Sequence, residues 1–301
     1  MRKIFISGIT GTLGQAVSKI LLEDPQIQII GLARDEQKLR KLRQHKNLTL
    51  YLGDVRDRDR IQEATRNVDL VFHFASLKCV DFLEQNPDEA IKTIVLGTEN
   101  ILHAQRTNKI PRVTFTSTDK ATMSVNAYGA AKFLAECLIL RNKNNVVVRY
   151  GNVLASRGSV VPDFVKTLQK EKTLYLTDEK MTRFFMTAEE ASDFVIQKGF
   201  GSASGLFIKE EMKSVYMQEL GIAIAEIMGI PKPTIKITGV RAGEKMHEDL
   251  KHSFGQSIIN SFLAKKYSKE ELYKILTPIV NSLREKPRPD LIRRKAKEAF
   301  A

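Results

Sequence analysis

Tyr128 and Lys132 stand four residues apart, the spacing that puts two side chains on one face of a helix. A lysine ammonium beside a phenol favours the phenolate and lowers its pKa. Such a tyrosine can take the proton of a substrate hydroxyl during hydride transfer to a nicotinamide cofactor, while the lysine holds the cofactor ribose. Upstream, Thr116-Ser117-Thr118-Asp119-Lys120 closes a β-branched run, so its polar groups fall at the carboxyl edge of a strand. A tyrosine four before a lysine is common on helices. Its place after a strand of a nucleotide-binding sheet is what gives the pair meaning. Asp119-Lys120 by itself also reads as a surface turn with an aspartate cap.

A second group of residues suits a dinucleotide. Gly8, Thr10, Gly11, Thr12, Leu13 and Gly14 follow an apolar run and open a helical pattern. Glycines there let the backbone turn tightly and approach a pyrophosphate, and the helix N-terminus adds oriented N–H groups. The second apolar run ends Gly31-Leu32-Ala33-Arg34-Asp35. An acid at that strand end suits the ribose hydroxyls of NAD, whereas Arg34, helped by Lys38, suits a 2′-phosphate. The order Arg34 before Asp35 therefore points to NADP, with Asp35 on a bare ribose as the other reading. Asp54-Val55 closes the third run, where the adenine edge lies in such folds, and Ala75-Ser76 closes the fourth, beside the nicotinamide ribose.

These residues require strands and helices in alternation. Lys3–Ser7, Ile27–Ala33, Leu48–Leu52, Leu70–Phe74, Arg112–Thr116 and Val146–Arg149 read as buried strands. Leu13–Glu23, Glu36–Gln44, Arg58–Thr65, Pro87–Arg106 and Ala127–Arg141 read as helices, with Pro87 in a first turn. The expected class is α/β, a doubly wound parallel Rossmann sheet with a smaller C-terminal substrate lobe. After Tyr150 the rhythm loosens. Gly151–Pro162 reads as a loop, Asp163–Lys170, Ala188–Lys198 and Met217–Met228 as helices, and Leu174–Leu176 as a short strand. Ile230–Thr238 reads as a loop entering a short strand, and Lys269–Leu283 as a helix. The expected division is a cofactor domain over residues 1–152, a substrate lobe over 153–255 with parts returning to the first domain, and a basic, helical tail over 256–301.

Composition narrows the classes. Apolar and charged fractions are those of a soluble globular chain. Two cysteines, Cys79 and Cys137, make no disulfide framework, which fits a reducing cytoplasm. The start MRKIFISGITG mimics a signal peptide, but glycines break its apolar run and a first strand explains it better. No stretch approaches a membrane span. The net charge is +13, and from Lys251 onward twelve Lys/Arg face five Asp/Glu. Arg293-Arg294-Lys295-Ala296-Lys297 has no interleaved aromatics, so it reads as a solvated tail with no nucleic-acid partner. His73, on a strand, reads as core, and Cys79 as packing. His247 has no partner at ligand spacing, so no metal is expected.

The glycine loop with Tyr128-Gly129-Ala130-Ala131-Lys132 resembles the extended short-chain dehydrogenase/reductase family. Longer blocks narrow the resemblance: Ser117–Ala121, Arg149–Val153, Ser156–Pro162, Met181–Phe184 and Gly243–Glu248 are similar to the inverting UDP-N-acetylglucosamine 4,6-dehydratases of surface-glycan synthesis, from about Lys3 to Leu250. That resemblance implies NADP as an internal redox cofactor, a UDP-sugar substrate and a homo-oligomer. It implies that Lys120 handles a proton at C5, that Asp119 assists loss of the C6 hydroxyl and that Tyr128 serves C4. It carries over Lys78, Tyr150 and Val153 to the cofactor. Lys78, Asn152, Arg157, Val160, Arg183, Arg241 and Glu244 carry over to the substrate, with Arg157 and Arg183 also readable as a salt-bridged loop. The chain departs from the family pattern at Cys79, at Ile94 where an asparagine is usual, and at Met123-Ser124 where Asn-Pro is usual. Ala155 replaces a glycine, Ala242 replaces a proline, and the last fifty residues do not match. Two other readings remain: a UDP-sugar 4-epimerase or C4 oxidoreductase, and a non-catalytic NADP-binding sensor.

Overall fold

A computed structural model describes residues 1–42, 45–156, 158–253 and 256–284. Its centre is a seven-stranded parallel sheet. In chain order the first six strands are β1 (Arg2–Ser7), β2 (Ile27–Ala33), β3 (Leu48–Leu52), β4 (Leu70–His73), β5 (Val113–Thr118) and β6 (Val146–Tyr150). The seventh in this sheet is β10 (Gly205–Ile208), and the spatial order is β10-β6-β5-β4-β1-β2-β3. Neighbours β1 and β4 lie where the order reverses, and there an open α/β sheet leaves a crevice at its carboxyl edge.

Side chains alternate across each strand, so one strand feeds two cores. Ile4, Ile6, Val146 and Val148 face the layer of α1 (Thr12–Leu21) and α9 (Ala188–Phe200), with Val17, Ala191 and Val195. Phe5 and Val147 face the opposite layer of α3 (Arg58–Ala64), α6 (Gly97–Thr107) and α7 (Ala127–Leu140), with Ile61, Ile101 and Ala135. Strands buried on both faces explain the unbroken apolar runs of the sequence.

Beyond Tyr150 the chain builds a lobe. It holds β7 (Asn152–Val153), α8 (Val160–Glu171), β8 (Thr173–Leu176), β9 (Thr182–Met186) and β11 (Ser214–Tyr216), then α10 (Met217–Ile227), β12 (Thr234–Ile237), β13 (Asp249–Ser253), β14 (Gln256–Asn260) and α11 (Lys269–Arg284). Its own core joins Phe164 and Leu168 of α8 to Leu174, Leu220, Ile224, Leu272 and Leu276. Between β9 and β11 the chain returns to the large sheet through α9 and β10.

The helix Val80–Gln85 and the strands β7, β9, β10, β11, β13 and β14 were not read from the sequence, and β14 lies within the stretch expected as a helical tail. Three expected elements differ in form or extent. The Pro87–Arg106 helix is continuous but changes pitch. It runs as α5 (Pro87–Ala90), a π segment (Ile91–Leu96) and α6, and Thr98 Oγ1 donates to the Ile94 carbonyl at 2.6 Å. The helix expected over Glu36–Gln44 is only α2 (Glu36–Arg40), and Arg43 and Gln44 lie outside the described residues. Helix α8 begins at Val160, inside the expected loop, with Pro162 in its first turn where no N–H is needed. The expected basic helix after Lys286 lies outside the described residues, as does the Arg293–Lys297 run. No described helix is long and apolar enough to cross a membrane.

Candidate active site

The carboxyl ends of β1, β4, β5 and β6 and the inner side of the lobe enclose a cleft of about 810 Å³. At one end lies the glycine loop. Gly8 has φ +72°, and a Cβ there would lie 2.8 Å from the Ala75 nitrogen. A Cβ on Gly14 would lie 2.5 Å from the Gly8 carbonyl oxygen. The loop is therefore a cradle only glycine can form, opening onto the N-terminus of α1. Gly8, Gly11, Thr12, Leu13 and Gly14 line the cleft with Ser76, Lys78, Tyr150 and Val153. Lys78 Nζ lies 3.1 Å from Ser156 Oγ.

Five of the expected cofactor residues do not line the cleft. Arg34 is half exposed, its guanidinium 3.4 Å from Asp54. Asp54 also accepts from Arg56 at 2.9 Å, and the two arginines outweigh burial to hold its carboxyl below the usual range. Asp35 caps α2, accepting from the Lys38 amide at 3.0 Å, and is ion-paired with the Lys38 ammonium, which lowers its pKa. Val55 is buried against Gly97. Two more serve the loop's shape: the Thr10 carbonyl accepts from Gln15 at 2.8 Å, and the Ala75 amide donates to Ser7 Oγ at 3.2 Å.

Strand β5 delivers Thr118 into a single 3-10 turn (Asp119–Ala121) that carries Asp119 and Lys120. Asp119 is fully buried; its Oδ1 accepts from Thr118 Oγ1 at 2.8 Å and pairs with Lys120 Nζ at 3.1 Å. Lys120 Nζ meets a second carboxylate, Glu248 Oε1, also at 3.1 Å. Arg183 Nε lies 3.7 Å from that same Glu248 oxygen. Burial works against the Lys120 charge, but Asp119 and Glu248 together hold its ammonium above the usual lysine range, with Arg183 opposing. The second oxygens of both acids, Asp119 Oδ2 and Glu248 Oε2, are buried without a hydrogen bond among the described residues. Asp119 Oδ2 faces the α-carbon of Gly151, where a Cβ would lie 3.3 Å from it.

Helix α7 brings up Tyr128 and Lys132. Asn126 caps it, accepting from Gly129 N–H at 2.7 Å and donating to the Gly243 carbonyl at 2.8 Å. The pair does not interact as the spacing suggested. Lys132 Nζ donates to the Thr116 carbonyl at 2.8 Å and sits 4.4 Å over the Phe115 ring. Burial pushes Lys132 down to about 7, against the pull of Glu136. Burial likewise pushes Tyr128 up to about 12, with the Asp119 charge adding to the rise; the Lys120 ammonium and a Thr118 hydrogen bond work against it. The ammonium that favours the Tyr128 phenolate here is that of Lys120, whereas the spacing had pointed to Lys132.

The remaining expected residues divide. Asn152, Val160, Arg183, Arg241 and Glu244 line the cleft. Asn152 donates to the Phe184 carbonyl at 3.0 Å, and Val160 is the first residue of α8. Arg183 lies on β9 instead of a loop. Arg241 lies 3.8 Å from Asp81, and its amide donates to Glu244 at 3.3 Å. Arg157 lies outside the described residues. Cys79 is not packed: it is exposed at the start of α4 (Val80–Gln85) and lines the cleft. His73 is core, pushed down to about 3 by burial. Ile94 is buried in the apolar layer behind the sheet. Among the described residues no group of three or more His, Cys, Asp or Glu can hold a metal ion. Glu248 is the residue sequence reasoning missed. It closes the Gly243–Glu248 block, but nothing in that block says which side chain it meets.

Comparison with known proteins shows the family. Residues 4–275 match the model of a family described as polysaccharide biosynthesis protein. A protein of Campylobacter jejuni named UDP-N-acetylglucosamine 4,6-dehydratase (inverting) is 38% identical over 260 residues, 82% of this chain and 77% of that one. A protein of Rickettsia typhi named UDP-glucose 4-epimerase is 39% identical over 267 residues, 83% of this chain and 77% of that one. Among solved structures, Pen from Bacillus thuringiensis superposes with a TM-score of 0.85 at 28% identity, covering 94% of this chain and 98% of that one. The matched span takes in the glycine cradle, the Asp119–Lys120 turn and the Gly243–Glu248 block alike, and the chain belongs to the polysaccharide biosynthesis protein family, among the short-chain dehydrogenase/reductase enzymes of dehydratase and epimerase type.

Proposed function

We propose that this chain is an NADP-dependent UDP-N-acetylglucosamine 4,6-dehydratase, inverting at C5, that serves surface-glycan synthesis in the cytoplasm as a homo-oligomer. The observation that carries the reading is the buried Asp119–Lys120 ion pair beside Tyr128 in the cleft. An enzyme that only oxidises and reduces C4 has no step for that pair; elimination of water needs a base and an acid close together.

The glycine cradle fits a dinucleotide pyrophosphate. NADP, when bound, supplies the oxidation at C4 and the matching reduction at C6. Gly8, Gly11 and Gly14 would hold its pyrophosphate. Arg34 would meet the 2′-phosphate, since the Asp35 carboxylate is already engaged in capping α2 and pairing with Lys38. Lys132 and Tyr150 would lie on the ribose side.

Tyr128, once its own proton has passed to solvent and with the Lys120 ammonium favouring the phenolate, takes the C4 hydroxyl proton. The C4 ketone then acidifies C5–H. A proton moved from Lys120 Nζ to Asp119 Oδ1, 3.1 Å away, leaves an amine and a carboxylic acid. The amine takes the C5 proton as the acid protonates the departing C6 hydroxyl, and the ion pair is restored as water leaves. Inversion requires that C5 be reprotonated from the other face by a different donor. The proton Tyr128 took at C4 meets that need and closes the balance. Lys78, Asn152, Val160, Arg241 and Glu244 would hold the nucleotide-sugar, Arg241 at the diphosphate. Exposed Ile91, Leu96, Phe133 and Leu134 offer an apolar face to a second copy.

The name of the Rickettsia typhi relative favours a second reading, a UDP-sugar 4-epimerase. Incubation with UDP-N-acetylglucosamine, run in parallel with NADP and NAD, decides. The expected product is lighter by one water, with solvent deuterium at C5 and inverted configuration, and NADP supports it better. A product of unchanged mass overturns the dehydratase. Lys120→Ala is expected to abolish product while leaving NADP binding intact.

A further inference from the structure

Glu248 reaches the catalytic turn from a distant part of the chain. It immediately precedes β13, is 2% exposed, and is held from its backbone: its amide donates to Ser261 Oγ at 2.8 Å, and its carbonyl accepts from the Ser261 amide at 2.8 Å. Ser261 Oγ is in turn 2.8 Å from Thr182 Oγ1, beside Arg183 on β9. This side chain is thus fixed before any substrate arrives. One carboxylate oxygen sits 3.1 Å from Lys120 Nζ, and the residue lines the same cleft.

We propose that Glu248 is a positioning residue of the reaction centre, which anchors the Lys120 ammonium jointly with Asp119 and keeps one exchangeable proton within that cluster. The proposal rests on the dehydratase reading only for what the proton is used for. Four charged groups meet here: Asp119 from the turn after β5, Lys120 beside it, Glu248 from the segment before β13 and Arg183 from β9. The phenol of Tyr128 on α7 faces the same ammonium. Two cations and two anions cancel, which is how a buried charge is tolerated. With Asp119 alone, Lys120 Nζ would face burial and the Arg183 charge with a single partner. It would lose its proton more readily and could leave the position from which it serves the substrate. A displacement of an ångström at a reacting group costs on the order of 100-fold in rate.

The test compares wild type with Glu248→Gln and Glu248→Asp, each first checked for folding by circular dichroism and thermal melting. Turnover of UDP-N-acetylglucosamine is expected to fall about 10-fold or more in kcat for Glu248→Gln, with KM within about threefold. The basic limb of its pH profile is expected to move down by about one unit or more. Glu248→Asp is expected to keep the charge and recover part of both. Lysine 13Cε NMR, with the Lys120 signal identified from Lys120→Arg, reads the same point without turnover. In wild type that signal should hold its ammonium position throughout the pH range in which the fold survives, and in Glu248→Gln it should titrate within it. If Glu248→Gln does not fold, the comparison of wild type with Glu248→Asp carries the test, the expected shift being smaller but in the same direction. An unmoved Lys120 signal overturns the proposal, as does a rise in KM at constant kcat. If wild type proves to be an epimerase, the dehydratase reading fails, while the Lys120 signal still decides the role of Glu248.

Discussion

Lys132 is 3% exposed and its charge is poorly compensated: its Nζ has one carbonyl, one ring face and, further off, Glu136. The unfolded chain keeps this proton up to the ordinary lysine range, whereas the fold releases it near 7. Between those points the unfolded state binds more protons, so Lys132 destabilises the fold at neutral pH, and the cost is relieved as pH rises. Lys132→Met is therefore expected to stabilise the protein by about 1 kcal/mol or more at neutral pH while abolishing turnover. Urea denaturation and the product assay check both, and a destabilised variant would show that the Thr116 hydrogen bond outweighs the buried charge. Tyr128 and Lys132 were legible in the sequence as a pair. That each takes a different partner was not, because a helical face fixes direction and says nothing of what is packed against it.

At the scale of elements, the turn from Thr118 to Asn126 is the part on which the proposed chemistry depends. It is tied down at several points. The Lys120 carbonyl lies so close to Gly129 that a Cβ there would come within 2.1 Å. Arg149 on β6 bonds Glu136 at 3.0 Å, Thr122 at 3.0 Å and the Leu250 carbonyl at 3.3 Å, and Lys245 donates to the Thr122 carbonyl at 2.7 Å. Two departures from the family pattern fall where the backbone is left-handed: Met123 has φ +48° and Ala155 φ +52°. Side chains beyond glycine and asparagine are strained there. Ala155→Gly is expected to raise stability by about 0.5–1 kcal/mol after the entropy of the unfolded glycine is subtracted, read as a higher denaturation midpoint. A lower midpoint would mean that the loop between β7 and α8 gains nothing from release. The sequence marked both positions as unusual, but only φ supplies the reason.

Across the whole molecule, a buried hydrogen-bonded line ties the sheet to the helix layer behind it. Ser7 Oγ already accepts two amide protons, from Phe74 and Ala75, so its own proton goes to His73 Nδ1 at 2.7 Å. His73 Nε2–H then donates to Thr98 at 3.1 Å, and Thr98 donates to the π-segment carbonyl of Ile94. Both ring nitrogens are committed, and the ring is neutral. An unfolded histidine takes up a proton below 6.5, but the folded one only near 3. The unfolded state thus binds more protons in that window, and stability falls as pH drops through it, by up to about 1.4 kcal/mol per unit. His73→Gln is expected to be less stable at neutral pH yet to lose less on acidification to about pH 5, measured by urea midpoints at the two pH values; an equal loss would place the acid sensitivity elsewhere. At this scale the division of labour between sequence and fold is plain. Periodicity by itself marked the six leading strands and most of their flanking helices, and the glycine spacing marked the cradle, because those signals are local; it overran α2 and missed α4 and the π segment. The resemblance of short blocks added Asp119 and Lys120. Tertiary structure decided the rest. The strands β9, β10 and β11 are short and obey no long pattern, and β10 is drawn into the large sheet only by pairing with β6. The meeting of Lys120 with Glu248 likewise depends on two distant segments folding against each other, a contact that no periodicity within either segment encodes.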